Sequence, residues 1–228
     1  MIKSGIKLIT FDATNTLMKF RVPPWSYYKH VCQDFGYEAD EETLKRNMLS
    51  TFKLMHSMHP NFGKDSIGWE EWWCQVVKKT LENVVSKNAP LSSIALRLID
   101  DFKTSKCWCA ADGAHSLVDE LTQTHGVHVG VISNFDPRLS DVLKCLNLYN
   151  KMKFVILSYD VGYCKPDRRI FEVARSRCGD LLPNECVHIG DDLRKDYEGA
   201  VAAGWRAFLV ARDLEKPPAM YFISRIVF

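Results

Sequence analysis

Nowhere in the 228-residue sequence does an apolar run approach the roughly 18 residues that a membrane-spanning helix needs. The opening residues, Met1-Ile2-Lys3-Ser4-Gly5, also lack the apolar block and small-residue cleavage site of a secretory signal. A cytoplasmic, reducing setting is therefore expected, with no membrane partner. Charge of one sign is missing too: 30 Lys and Arg stand against 28 Asp and Glu, mixed along the chain. Without a basic stripe, a nucleic-acid partner has no electrostatic support. The eight cysteines contain no C-x-x-C pair, and Cys107-Trp108-Cys109 is too tight to clamp a zinc ion by itself. Internal repeats and low-complexity tracts are absent. With 46% apolar and 25% charged residues, the chain reads as an ordinary folded protein, long enough for one large domain or a core carrying an insert.

What is present has two textures. Lys7-Leu8-Ile9-Thr10-Phe11 is a short apolar and β-branched run that ends on Asp12, as a buried strand delivering a carboxylate would. From Trp25 to Phe102 the spacing is helical: Tyr28, Val31, Cys32 and Phe35; Leu44, Met48, Thr51 and Phe52; Trp69, Trp72, Trp73, Val76 and Val77. Asp40, within the acidic run from Glu38 to Glu42, suits a helix cap. Beyond Asp112 the pattern alternates. Helices are expected over 114–124, 138–146, 169–178 and 195–203, and strands over 127–133, 154–157, 186–190 and 207–210. Met220 to Phe228 is apolar enough for a final strand or helix. Alternation of this kind implies an α/β class with a parallel sheet covered on both faces, interrupted after its first strand by an all-helical stretch.

In an open parallel sheet, ligands gather beyond the carboxyl ends of the strands. Polar residues stand at four such places in order: Asp12, then Ser133-Asn134, then Lys165, then Asp191-Asp192 with Asp196. Carboxylates side by side, with a hydroxyl and an ammonium converging on them, suit a divalent cation and a phosphoryl group. Each residue has a plainer reading. Asp12 can form a turn, Ser133-Asn134 can cap the helix beginning near Arg138, and Lys165 before Pro166 can be a solvated loop lysine. The Trp69, Trp72 and Trp73 cluster reads as core, and His56 and His59 as surface-loop histidines.

Taken together, Phe11-Asp12-Ala13-Thr14-Asn15-Thr16-Leu17, Ile132-Ser133-Asn134, Lys165-Pro166-Asp167 and Ile189-Gly190-Asp191-Asp192-Leu193-Arg194-Lys195-Asp196 resemble the four ordered motifs of the haloacid dehalogenase-like hydrolase superfamily. Val131 to Asp136, Lys165 to Phe171 and the Trp72-Trp73 pair are most similar to its third type of domain-containing protein. The resemblance implies a Rossmann-like core over 1–18 and 106–228 and a helical cap over 19–105. It further implies that Asp12 is a nucleophile forming an aspartyl-phosphate and that Mg²⁺ is held by Asp12, the Thr14 carbonyl and Asp191. Ser133 and Asn134 would contact phosphate, Lys165 would neutralise nucleophile and phosphate, and Asp192 and Asp196 would support the site. The substrate implied is a small phosphorylated molecule.

One departure qualifies this. Family phosphatases carry a second Asp two residues after the nucleophile, as general acid and base; here Thr14 stands there. Threonine has no side-chain pKa near neutrality, and losing a positioned acid or base costs about 10²- to 10⁴-fold. Weak or narrow phosphatase activity is the leading expectation. A catalytically degenerate phosphate-site protein is the alternative, and metal-free dehalogenation by Asp12 a third reading. Asn15, where a glycine is usual, is one of the few residues tolerating a left-handed backbone.

Overall fold

The computed structural model describes residues 5–179 and 181–210. Met220–Phe228 lies outside the described residues. The chain opens with β1 (Leu8–Phe11) and β2 (Met18–Phe20), then runs through α1 (Pro24–Asp34), α2 (Glu41–Met58), α3 (Pro60–Gly63), α4 (Trp69–Leu81) and α5 (Leu91–Asp101). It continues with β3 (Trp108–Ala110), α6 (Ala114–Gln123), β4 (His128–Ser133), α7 (Arg138–Cys145), β5 (Phe154–Leu157), α8 (Ser158–Val161) and α9 (Arg168–Ser176). The last elements are β6 (Cys186–Gly190), a π-helical turn over Leu193–Glu198, α10 (Gly199–Ala202) and β7 (Arg206–Leu209). Two compact units result, one of residues up to Lys19 and from Cys109 onward, the other Phe20–Trp108.

The first unit is built on a five-stranded parallel sheet of order β5-β4-β1-β6-β7. All four residues of β1 are buried, as expected of a central parallel strand with both faces covered. Phe11 is level with Val131 of β4 on one side and Ile189 of β6 on the other. This register brings the carboxyl ends of three neighbouring strands to one height, and the strand order reverses at β1, where such sheets form a ligand crevice. Ile132, Ile156, Ile170, Phe171, Ala174 and Trp205 fill the core on one face.

In the second unit the helical faces read from sequence are the buried ones. Tyr28, Val31 and Cys32 of α1, Leu44 and Met48 of α2, Val77 and Leu81 of α4, and Ile94, Ala95 and Leu98 of α5 form one core. Asp40 caps α2, its carboxylate accepting the Thr43 N–H at 2.8 Å. Trp72 is fully buried and meets Phe52, His56, Phe62 and Trp73 at ring-centroid distances of 5.0–5.7 Å. Its indole N–H donates to the His59 carbonyl at 3.0 Å, so the one polar atom of the ring is satisfied. His59 Nδ1 also lies 3.0 Å from Ser66 Oγ.

Two features escape the sequence pattern. β2 and β3 are three residues each and form a two-stranded sheet with one another, too short for a period-2 signal. They place the unit boundaries after Lys19 and Trp108, later than the expected 18 and 105. The helix expected over 195–203 begins instead as the π-turn at Leu193 and becomes α-helical only at Gly199. Among the described residues, no helix is long and apolar enough to cross a membrane, and no disulfide joins the eight cysteines.

Because Trp72 fills the middle of an aromatic cluster, Trp72→Ala is expected to cost about 3–5 kcal/mol in equilibrium denaturation, read as a lowered midpoint at constant slope. A shift below about 1 kcal/mol would contradict a central packing role.

Candidate active site

Asp12 follows β1 directly, and its backbone N–H still donates to the Ile189 carbonyl at 2.8 Å, which fixes the residue at the sheet edge. Its Oδ1 accepts the Ser133 hydroxyl at 2.9 Å and the Lys165 ammonium at 2.7 Å. Its Oδ2 takes part in neither bond. Lys165 is 3% exposed, and three oxygens face its three protons: Asp12 Oδ1, the Ile132 carbonyl at 2.7 Å and Asp196 Oδ1 at 2.6 Å. Burial alone would favour the neutral amine, but the carboxylates of Asp12 and Asp196 outweigh it and hold the Lys165 pKa above the ordinary lysine value. Burial likewise opposes a charged Asp196, yet the hydrogen bond from His188 and the ammonium of Lys165 hold its pKa well below the usual carboxylate range.

The sequence around each group explains its place. The Asn134 side chain pairs with the Lys165 backbone in both directions: Nδ2 donates to the Lys165 carbonyl at 2.9 Å, and Oδ1 accepts the Lys165 N–H at 2.7 Å. Its amide thus grips the lysine loop. Asp196 is swung inward by the π-turn, a distortion often found at functional sites. It crosses so close to β6 that a Cβ on Gly190 would lie 2.3 Å from its carboxyl carbon, and only glycine leaves the room. Asp196 Oδ2 also accepts the Asp192 N–H at 3.0 Å. The Asp192 carboxylate is occupied as the cap of the same turn, accepting from the N–H groups of Arg194 and Lys195 at 3.1 and 2.9 Å. Asn15 has φ 58°, the left-handed conformation its residue type tolerates, and its Nδ2 donates to Asp191 Oδ2 at 3.3 Å.

A cleft of about 220 Å³ is lined by Asp12, Thr14, Ser133, Asn134, Lys165, Asp191, Asp192 and Asp196, so the residues expected at the strand ends arrive at one place. Asn15 and Lys195 complete the lining. Ser133 and Asn134 do not cap α7: Pro137 is the cap residue, and Asp136 Oδ1 accepts the Arg138 N–H at 3.1 Å. Lys195 had no assigned role in the sequence reading; its ammonium lies 3.1 Å from Asp192 Oδ2 and half exposed at the cleft. Four carboxylates against two ammonium groups leave the lining negative. Oxygen atoms of Asp12, Asp191 and Asp196 lie within 4.8 Å of one another, a donor set of hard oxygens suited to a divalent cation. Both oxygens of Asp196 are engaged, Oδ1 by Lys165 and His188 and Oδ2 by the Asp192 N–H.

Beneath the cleft lie two residues that the sequence reading passed over. Thr10 and His188 are paired across β1 and β6, both fully buried. His188 Nδ1 is 2.8 Å from Thr10 Oγ1, and its Nε2 is 3.2 Å from Asp196 Oδ1. A histidine in the otherwise apolar strand Cys186-Val187-His188-Ile189-Gly190 was the available signal.

A family model described as haloacid dehalogenase-like hydrolase matches residues 6–204. The Rhythmically expressed gene 2 protein of Drosophila melanogaster is 36% identical over 217 residues, covering 91% of this chain and 84% of its own. Human haloacid dehalogenase-like hydrolase domain-containing protein 3 is 33% identical over 207 residues, covering 90% and 82%. Among solved structures, the HAD-hydrolase YfnB from Bacillus subtilis bound to magnesium superposes with a TM-score of 0.71 at 16% identity, covering 97% of this chain and 98% of its own. That likeness carries the fold alone; the match over nearly the whole chain carries the family. The chain is a member of the haloacid dehalogenase-like hydrolase family.

Proposed function

We propose that the protein is a Mg²⁺-dependent phosphohydrolase that works through an aspartyl-phosphate on Asp12, acting inside the cell on a small phosphorylated molecule with a good leaving group. The supporting observation is the asymmetry of Asp12: Lys165 and Ser133 hold Oδ1, leaving Oδ2 out of those bonds at the cleft. In the first step Oδ2 attacks phosphorus, the new P–O bond forms, and the bond to the leaving oxygen breaks with its electron pair. Lys165 and Ser133 hold the attacking carboxylate in place through Oδ1. In the second step water attacks the same phosphorus, the Asp12 carboxylate departs, and inorganic phosphate is released. A magnesium ion bound by Asp12, Asp191 and the Thr14 carbonyl would neutralise charge on the transferring oxygens.

Thr14 sets the limit. With no acid there, the leaving group departs unprotonated, which acyl phosphates and aryl phosphates tolerate and alkyl phosphates do not. The same absence favours a second reading, a degenerate site that binds phosphate or a partner without turning over. The two differ in one assay. Purified protein with Mg²⁺ is expected to hydrolyse acetyl phosphate and, more slowly, p-nitrophenyl phosphate, with the activity gone in Asp12→Asn. A folded, metal-binding protein that leaves both substrates intact would support the degenerate site instead. Chloride release from a 2-haloacid in EDTA would revive dehalogenation.

Thr14→Asp tests the limit itself. Restoring a carboxyl at that position is expected to raise alkyl phosphate turnover by about 10²-fold, and acetyl phosphate turnover much less. An equal effect on both substrates would mean that Thr14 is not what restricts the leaving group.

A further inference from the structure

The buried pair below the cleft is connected to it by an unbroken run of polar contacts. Thr10 Oγ1 meets His188 Nδ1 at 2.8 Å, His188 Nε2 meets Asp196 Oδ1 at 3.2 Å, that same oxygen meets Lys165 Nζ at 2.6 Å, and Lys165 Nζ meets Asp12 Oδ1 at 2.7 Å. An ionised carboxylate only accepts, so the imidazole must present N–H at Nε2. A neutral ring then has its lone pair at Nδ1, and the proton pointing there is the Thr10 hydroxyl's. That hydroxyl has a second acceptor in the Val187 carbonyl, but at 3.3 Å it is the longer contact. Full burial favours the neutral ring, outweighing the hydrogen bond to Asp196, and lowers the His188 pKa from its ordinary value. Phe171 stands edge-on to the imidazole at 5.3 Å between centroids, so the ring cannot rotate without disturbing the core.

We propose that Thr10 and His188 are positioning residues for the nucleophile: Asp196 sets the Nε2–H tautomer of His188, the Thr10 hydroxyl holds that ring by donating to Nδ1, and His188 in turn fixes Asp196 where it holds Lys165 against Asp12. Neither residue touches the cleft. Their effect passes through Asp196, whose Oδ1 serves the histidine and the lysine together. Without the histidine donor, Asp196 keeps the Asp192 N–H on its other oxygen but gains freedom to turn about that bond, and Lys165 loses a defined third partner. The catalytic consequence rests on the phosphoryl-transfer reading above; the tautomer does not.

Two measurements on the full chain separate them. In protein labelled with ¹⁵N-histidine, long-range ¹H–¹⁵N correlation spectra identify the His188 signal by its loss in His188→Gln. The expected result is a neutral Nε2–H ring in the wild type, with the Nδ1 resonance displaced in Thr10→Val by loss of the hydroxyl donor while Nε2 keeps its proton. A Nδ1–H ring or an imidazolium at neutral pH would overturn the proposal whatever the activity. For the second measurement, Asp12-dependent acetyl phosphate turnover is compared in His188→Leu and His188→Gln. Leucine removes the donor, and a loss of about tenfold to a hundredfold is expected; glutamine, which places an N–H near the position of Nε2, is expected to recover most of it. Equal turnover in folded leucine and glutamine variants would overturn the proposal. If His188→Leu does not fold, Thr10→Val carries the comparison, expected to fall below wild type and sinking the idea if it does not. A wild type with no Asp12-dependent turnover would refute the proposed function while leaving the spectra to decide the tautomer.

Discussion

Everything at the carboxyl end of the sheet is arranged around one buried ammonium. Lys165 sits out of water between two carboxylates, and its position is overdetermined: the side chain by Asp12, Asp196 and the Ile132 carbonyl, the backbone by both ends of the Asn134 amide. Desolvating a charge costs several kcal/mol, and mutual attraction offsets that only when geometry and hydrogen bonding are good. Here both conditions hold. Removing the cation alone would leave Asp12 and Asp196 facing each other in a poorly solvated place, the costly case for a broken buried pair. The site is therefore held at one electrostatic setting, with lysine and Asp196 both charged across the neutral range.

That setting depends on local backbone exceptions more than on regular structure. Asp196 reaches inward because the chain makes a π-turn and because residue 190 has no side chain. Asp191 meets Asn15 because residue 15 sits at positive φ, which an asparagine accepts and most residues resist. The sheet brings strand ends level, and these exceptions then aim the side chains. Rigid support with a few strained or unusual positions at the site is the common division of labour in such folds.

Much of this was legible beforehand, for physical reasons. Helical spacing over 25–102 and alternating elements beyond 112 reflect burial of one face or both, a signal that survives without tertiary information. Asp12, Ser133, Lys165 and Asp191 were readable because parallel topology sends every strand's carboxyl end the same way. The bond from Asn134 to the Lys165 backbone was not readable, since an amide that grips backbone looks the same in sequence as one that faces a ligand. Asp192 was left open, and the structure gives it a capping task. His188 and Thr10 went unread because alternation inside a buried strand hides a polar pair whose partner lies 178 residues away. β2 and β3 were invisible because three residues carry too little pattern, and their main support includes a Phe20–Trp108 stack formed only on folding.

The central place of β1 also bears on how the molecule is made. The strand is complete at Phe11, but its first neighbour in the sheet, β4, begins only at His128. At about 5–20 residues per second, a ribosome would take on the order of ten seconds to bridge that interval. Meanwhile the helical unit, whose contacts lie within Phe20–Trp108, is already available to fold. A strand buried on both faces in the finished sheet would thus wait unpaired, and the central strand is the one with the longest exposure to chaperones and to other nascent chains.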